Sequence, residues 1–138
     1  MSANLDLVRS IYTDWERGDY SSAEWADPEI EYVVADGPSP GAWRGLAGMA
    51  EGTRDIMTPW EGFHTQAEAY RELDDERVLV LTRMGGRAKT SGVELAQVRS
   101  NGAMLWQLRD GTVVRLVSYW NREHAFSDLG LAAEGGAA

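Results

Sequence analysis

The stretch LWQLRDGTVVRLVSYWNREHAFSDLGL, residues 105–131, decides the fold. At its centre stands Asp110-Gly111, a pair that accepts the positive φ angles of a tight two-residue loop and is therefore a strong hairpin signal. The residues on either side are apolar, aromatic and β-branched, in runs of roughly 93–109 and 112–121. Together they read as a long antiparallel hairpin. Asn101-Gly102 interrupts the first run; one bent strand with a bulge there is the preferred reading, a second hairpin the alternative. Asn121 then occupies a helix N-cap position, and a short helix runs through Leu129.

Further toward the N-terminus, Arg77–Met84 (RVLVLTRM) is another strand. It is reached through an Asp74-Asp75-Glu76 turn from a run in which Phe63, Thr65, Ala67 and Ala69 alternate with His64, Gln66, Glu68 and Tyr70. A glycine-rich basic loop, Gly85–Gly92, follows the strand. Before Trp60 the period lengthens from two to nearly four: Leu46, Met49, Thr53, Ile56, Met57 and Trp60 share one helical face. Gly48 and Gly52 weaken that helix by about 1 kcal/mol each relative to alanine. Leu5, Val8, Tyr12 and Trp15, with Ile11 beside them, predict an amphipathic helix over 4–17 that stops at Gly18. A second short helix is expected over 20–25, a strand over 29–35 (EIEYVVA) and a loop over 36–41 (DGPSPG). Helices first and antiparallel strands afterwards is an α+β order, with a curved sheet wrapped around the N-terminal helices and a pocket between them. Residues 1–131 are expected to form a single domain, with 132–138 (AAEGGAA) as a disordered tail.

Composition narrows the function classes. A chain of 138 residues without cysteine excludes disulfide scaffolds, thiolate nucleophiles and iron–sulfur sites, and two histidines cannot by themselves make a multi-histidine metal centre. No metal or cofactor is expected. The net charge of −9 would repel a phosphate backbone, so nucleic acid is not an expected partner. The charge is uneven: residues 1–76 carry −12 and 77–138 carry +3. No apolar run reaches the roughly 18–20 residues that span a bilayer, and MSANLDLVRS has no signal-peptide pattern. A cytoplasmic protein without membrane contact is expected.

Several motifs carry a family resemblance. They are Glu16-Arg17-Gly18-Asp19, Ala26-Asp27-Pro28-Glu29-Ile30-Glu31, Trp43-Arg44-Gly45-Leu46, Ser91-Gly92-Val93-Glu94 and the 105–131 stretch. Over roughly residues 4–131 the chain resembles the nuclear transport factor 2-like superfamily, and within it the SnoaL-like subgroup related to polyketide cyclases and ketosteroid isomerases. The resemblance implies a cone-shaped α+β barrel. It leaves chemistry open, because one fold hosts many activities. The positions where ketosteroid isomerases carry their tyrosine, base and second acid fall on Ile11, Val33 and Met104, all apolar. Steroid isomerisation by that machinery is therefore not expected, and the aspartate-arginine-aspartate set of the related epoxide hydrolases has no counterpart.

Strand parity supplies candidate lining residues. If Met104 faces the interior, so do Trp106 and Leu108, and on the last strand Leu116, Ser118 and Trp120. Tyr12, Trp15 and Trp60 close the space from the helices. Trp15, Trp60, Trp106 and Trp120 fit ordinary core equally well. As a pocket they suit a flat hydrophobic or aromatic molecule such as a polyketide-like metabolite. Glu31 is the sharpest polar candidate. Were it to share an inward face with Val33 and Ala35, desolvation would raise its pKa into general acid/base range. The opposite rotation of the strand buries Ile30, Tyr32 and Val34 and leaves Glu31 in water. His64 belongs with a solvated face, His124 with the terminal helix as a structural residue, and Asp36 with a turn at the mouth. Glu94 is a candidate rim carboxylate, paired with Arg83 or Arg99. Two functions follow: a pocket protein that binds a small hydrophobic or aromatic metabolite and, if catalytic, is a cofactor-independent isomerase, cyclase or dehydratase with Glu31 as acid/base, or a non-catalytic ligand-binding or dimerisation module. For the latter, an outer sheet face of Arg99, Val113, Arg115, Val117 and Tyr119 suits a homodimer.

Overall fold

Helix α1 (Ala3–Glu16) forms where the periodicity places it and buries Val8, Ile11 and Tyr12 against the sheet. The computed structural model describes residues 3–19, 24–37, 40–58, 60–89 and 101–131. After α1 come strands β1 (Ala26–Val34) and β2 (Gly41–Arg44), helix α2 (Gly45–Met57) and four strands. These are β3 (Trp60–Glu72), β4 (Arg77–Ala88), β5 (Asn101–Arg109) and β6 (Thr112–Tyr119), followed by helix α3 (Arg122–Leu129). The expected helix over 20–25, the strand portion 93–100 and the 132–138 tail lie wholly or mostly outside the described residues.

The six strands form one curved, open sheet in the order β2-β1-β6-β5-β4-β3. It is α+β as expected, and mixed rather than purely antiparallel, because β1 runs parallel to β6. The β5–β6 turn has φ of 53° at Asp110 and 81° at Gly111, the paired positive angles that suit a right-twisted hairpin. Asn121 caps α3, its side chain accepting from the Glu123 and His124 amides, and Gly130 ends the helix at φ 68°.

Three differences from the sequence reading have local causes. Residues 41–44, read as the end of a loop and the lead into a helix, are an extra edge strand whose Trp43 pairs with Tyr32 of β1. Strand β4 continues through Ala88, so Gly85–Ala88 is sheet rather than loop, paired with the start of β3 at Glu61 and Trp60. Trp60 thus belongs to a strand, not to α2. In β3 an irregularity between Ala67 and Ala69 shifts the register, so Tyr70 turns inward onto Tyr12 instead of following His64, Gln66 and Glu68 into solvent.

Each sheet face has its own core. The concave side packs Ile30, Tyr32, Val34, Met104, Trp106, Leu108 and Leu116 with α1. On the convex side, α3 lays Ala125 and Phe126 over Leu79, Leu81, Leu105, Val117 and Tyr119. That helix changes the expected self-contact face: Val117 and Tyr119 are 3% and 5% exposed beneath it. Val113 points inward, since an extra residue opposite the Gln107–Leu108 step reverses its parity. Arg99 lies outside the described residues, and Arg115 alone of this set is open to solvent, joined to Glu31.

Candidate functional site

Helix α2 does not sit flush on the sheet; between them lies a cavity of about 350 Å³. The helix leans on β1 and β2 through glycine. A Cβ on Gly52 would come within 2.8 Å of the Trp43 indole and 2.9 Å of the Tyr32 ring, and one on Gly48 within 3.2 Å of the Trp43 Cβ. The two residues that weaken the helix in isolation are what let its backbone approach. Leu46, Met49, Ala50, Thr53, Arg54 and Met57, spaced at three and four, face the space from α2. The sheet supplies Thr82 and Met84 from β4, Met104 from β5, and Leu116 and Ser118 from β6. Trp15, Trp25, Tyr32, Phe63, Thr65 and the end of β6 at Tyr119 and Trp120 complete the lining.

Of the residues singled out in the sequence, Trp15, Met104, Leu116, Ser118 and Trp120 border this cavity. Tyr12 and Trp106 stand one layer behind and hold the wall. The Tyr12 hydroxyl donates to Met104 Sδ at 3.0 Å and accepts from Trp106 Nε1 at 3.3 Å, all three side chains being buried. Burial pushes the Tyr12 phenol well above its ordinary pKa, so it is a fixed neutral group. Trp60 stacks behind Trp120, with ring centroids 6.3 Å apart.

Glu31 and Val33 are corrected. Strand β1 takes the rotation that buries Ile30, Tyr32 and Val34, while Val33 and Ala35 pack on the convex side. An unpaired carboxylate inside an apolar cavity would cost several kcal/mol, whereas on the outside Glu31 stands in register with Arg115 and meets it at 3.1 Å. Both side chains are about two-fifths exposed, at 41% and 42%. What enters the cavity instead is Tyr32, hydrogen-bonded to Thr53 and pushed by burial up to about 12. Thr53 also donates to the Met49 carbonyl at 2.9 Å. Arg54 is the one charged side chain among the described lining residues; no carboxylate and no imidazole lines the space among them.

The remaining polar candidates form other structures. His64 is exposed, as expected, with Nδ1 at 2.9 Å from the Gly62 carbonyl. His124 Nδ1 meets Asp36 at 2.7 Å, and Nε2 lies 3.5 Å from Asp128. The hydrogen bond to Asp36 raises the His124 pKa, with the charges of both aspartates adding to it. Asp36 also accepts from the Trp120 amide, so the turn residue expected at the mouth ties the loop after β1 to α3 and to a cavity wall. Arg83 pairs with Glu68 at 2.7 Å, and buried Arg122 reaches the same carboxylate at 2.6 Å. Glu94 lies outside the described residues. Among them no group of acidic and histidine side chains has metal-site geometry, and no helix is long and apolar enough to cross a membrane.

The sequence reading missed Trp25, Tyr32, Phe63, Met84 and the role of the α2 face. The face itself was legible, since Leu46, Met49, Thr53 and Met57 carry the helical period. That it borders open space rather than the sheet is a tertiary fact. Tyr32 was hidden by the undecided rotation of β1.

An open six-stranded sheet whose concave side is closed by two helices around an apolar cavity defines the nuclear transport factor 2-like α+β fold, and the chain has it. By sequence, no family model and no curated protein matches the chain. By structure it is similar to a nuclear transport factor 2-like protein of unknown function from Burkholderia pseudomallei, with TM-score 0.72 and 20% identity over 92% of this chain and 97% of that one. It is also similar to a putative SnoaL-like polyketide cyclase from Jannaschia, with TM-score 0.67 and 15% identity, covering 85% and 84% of the two chains. TerC, co-crystallised with polyporic acid, superposes with TM-score 0.70 and 21% identity over 93% and 98%.

Proposed function

We propose that this protein binds a flat, largely apolar small molecule in the cavity beneath α2 and holds it without chemical change. The observation that carries this reading is the lining. Tryptophan, tyrosine, phenylalanine and methionine make the walls, a few hydroxyls supply polar contacts, and no acid or base titrating near neutrality lies among the described lining residues. A volume of about 350 Å³ is at the lower end of the roughly 300–1,000 Å³ typical of small-molecule sites. Thr53, Thr65, Thr82 and Ser118 orient a ligand bearing hydroxyl or carbonyl groups, with Tyr32 behind Thr53. The co-crystallisation of TerC, which shares the fold, with polyporic acid supports a small-molecule ligand. Proton-transfer chemistry is the weaker reading, because its acid/base, Glu31, stands outside the cavity in an ion pair with Arg115.

Titration with polycyclic phenols and quinones tests the proposal. Trp15, Trp25 and Trp120 line the site, so saturable quenching of their fluorescence is expected, with the ligand recovered unaltered by chromatography. Catalytic loss of the ligand would transfer the protein to the enzymes; absence of any saturable binding would remove the reading altogether.

A further inference from the structure

Methionine is distributed unequally between the two cores. Of the five in the chain, Met1 is outside the described residues, and the other four, Met49, Met57, Met84 and Met104, all line the cavity. They come from three elements, α2, β4 and β5. The convex core, built of leucine, alanine, valine, tyrosine and phenylalanine, contains none among its members. Unbranched thioether side chains have three rotatable bonds and a polarisable sulfur, so they fill a space of changing shape and pack well on aromatic rings. Concentrating them around one cavity makes its walls deformable.

The four are not equally free. Met104 is fixed by the Tyr12 hydroxyl on its sulfur at 3.0 Å. Met84 fills room left by a glycine: a Cβ on Gly102 would come within 3.0 Å of its Cε. Met49 and Met57 are half-buried on α2, with their side chains turned toward the space. Their helix is tied to β1 by the hydrogen bond between Thr53 and Tyr32. It rests on Trp43 and Tyr32 through Gly48 and Gly52, and its N-cap position, Arg44, makes no side-chain capping bond. One wall of the cavity thus carries a methionine pinned by a hydrogen bond, and the opposite wall two half-buried methionines on one helix.

We propose that the cavity is a site of variable volume that accepts flat aromatic molecules of different ring number, with Met49 and Met57 setting the range. This rests on the ligand-binding reading above. Met104, pinned from behind by Tyr12 with Trp106 beside it, gives each ligand the same fixed contact. The α2 methionines change rotamer to close over a small ligand or make way for a larger one, so affinity varies less with ring number than a stiff pocket allows.

The test is a titration of protein carrying 13C-methyl methionine with phenol, 2-naphthol and 1,8-dihydroxyanthraquinone, followed by NMR and by calorimetry. The expected result is affinity for the two larger probes within about tenfold of each other. The Met49 and Met57 methyl signals should move to a different place for each probe, while Met104 moves to nearly the same place for all. In M49L/M57L the spread should widen to more than about thirtyfold, since leucine fills similar volume with fewer rotamers; the single variants M49L and M57L serve if the double one fails to fold. Binding of all probes with an unchanged affinity ratio in the variants, or a Met104 signal as probe-dependent as the other two, overturns the inference and leaves the binding reading intact. Failure of every probe to shift any of the four signals overturns both.

Discussion

Gly52 of α2 lies so close to the indole of Trp43 that a Cβ on it would stand 2.8 Å from the ring. That contact sets the height of α2 above the sheet, and the height sets the cavity. Replacing Gly52 by alanine should gain about 1 kcal/mol of helix propensity and lose about 1–3 kcal/mol to overpacking, because the obstructing atoms belong to two rings with little freedom to give. The expected outcome for G52A is a lower urea midpoint together with weakened ligand binding, since the helix must lift. An unchanged affinity would show that α2 does not gate the site.

Tyr12 supports the floor of the site by a different mechanism. Its hydroxyl is the acceptor for the buried indole N–H of Trp106 and the donor to Met104. Y12F leaves that N–H without its acceptor, at a cost of about 1–3 kcal/mol. Equilibrium denaturation should show the loss, and the near-ultraviolet circular dichroism of the Tyr12, Trp15, Trp25 and Trp106 cluster should change with it.

Glu31 has an exposed ion-pair partner rather than a catalytic environment, and pairs of this kind contribute about 0–1 kcal/mol. E31Q should therefore leave stability within about 1 kcal/mol of the parent and ligand affinity within about twofold. A large effect on binding, read by the same fluorescence titration, would place Glu31 back in the site.

His124 predicts a pH dependence of definite sign. Its folded pKa is raised above the ordinary 6.5, first by the hydrogen bond to Asp36. The stabilisation is thus fully present below about 6.5 and is lost as the pH rises through the raised value. Its size is modest, because the histidine is 39% exposed. Proton NMR should find the imidazole titrating above 6.5, and D36N should bring it down. In H124Q the corresponding fall in thermal stability between mildly acidic and mildly alkaline pH should flatten.

Glu68 works in the opposite direction. The hydrogen bond from Arg122, aided by the charges of Arg122 and Arg83, holds its carboxyl below the usual 4.5. Its contribution is present above 4.5 and is lost as the pH falls through the lowered value. E68Q should blunt acid unfolding, as followed by far-ultraviolet circular dichroism below pH 4.5, and should leave the neutral to alkaline limb governed by His124.

Local signals in the chain determined most of the elements. Asp110-Gly111 supplies the positive-φ turn that closes β5 onto β6, Asn121 and Gly130 bracket α3, and the apolar period of four defines α1 and α2. Parity along β5 and β6 was sufficient to turn Met104, Trp106, Leu116 and Ser118 inward. What periodicity cannot encode is the rotation of a whole element, because a strand with apolar residues on both faces has two nearly equivalent solutions. For β1 the choice fell to partners distant in sequence: Arg115 waiting outside for Glu31, and Thr53 and Gly52 receiving Tyr32 inside. Single-residue register shifts at Glu68 and near Val114 had the same character, turning Tyr70 and Val113 inward where strict alternation turns them out. The sequence by itself thus determined the fold and the aromatic character of its concave side. Only the tertiary structure decided that Glu31 stands outside the cavity and Tyr32 inside it, because the energetic cost of burying that charge is felt only once the sheet and α2 have assembled.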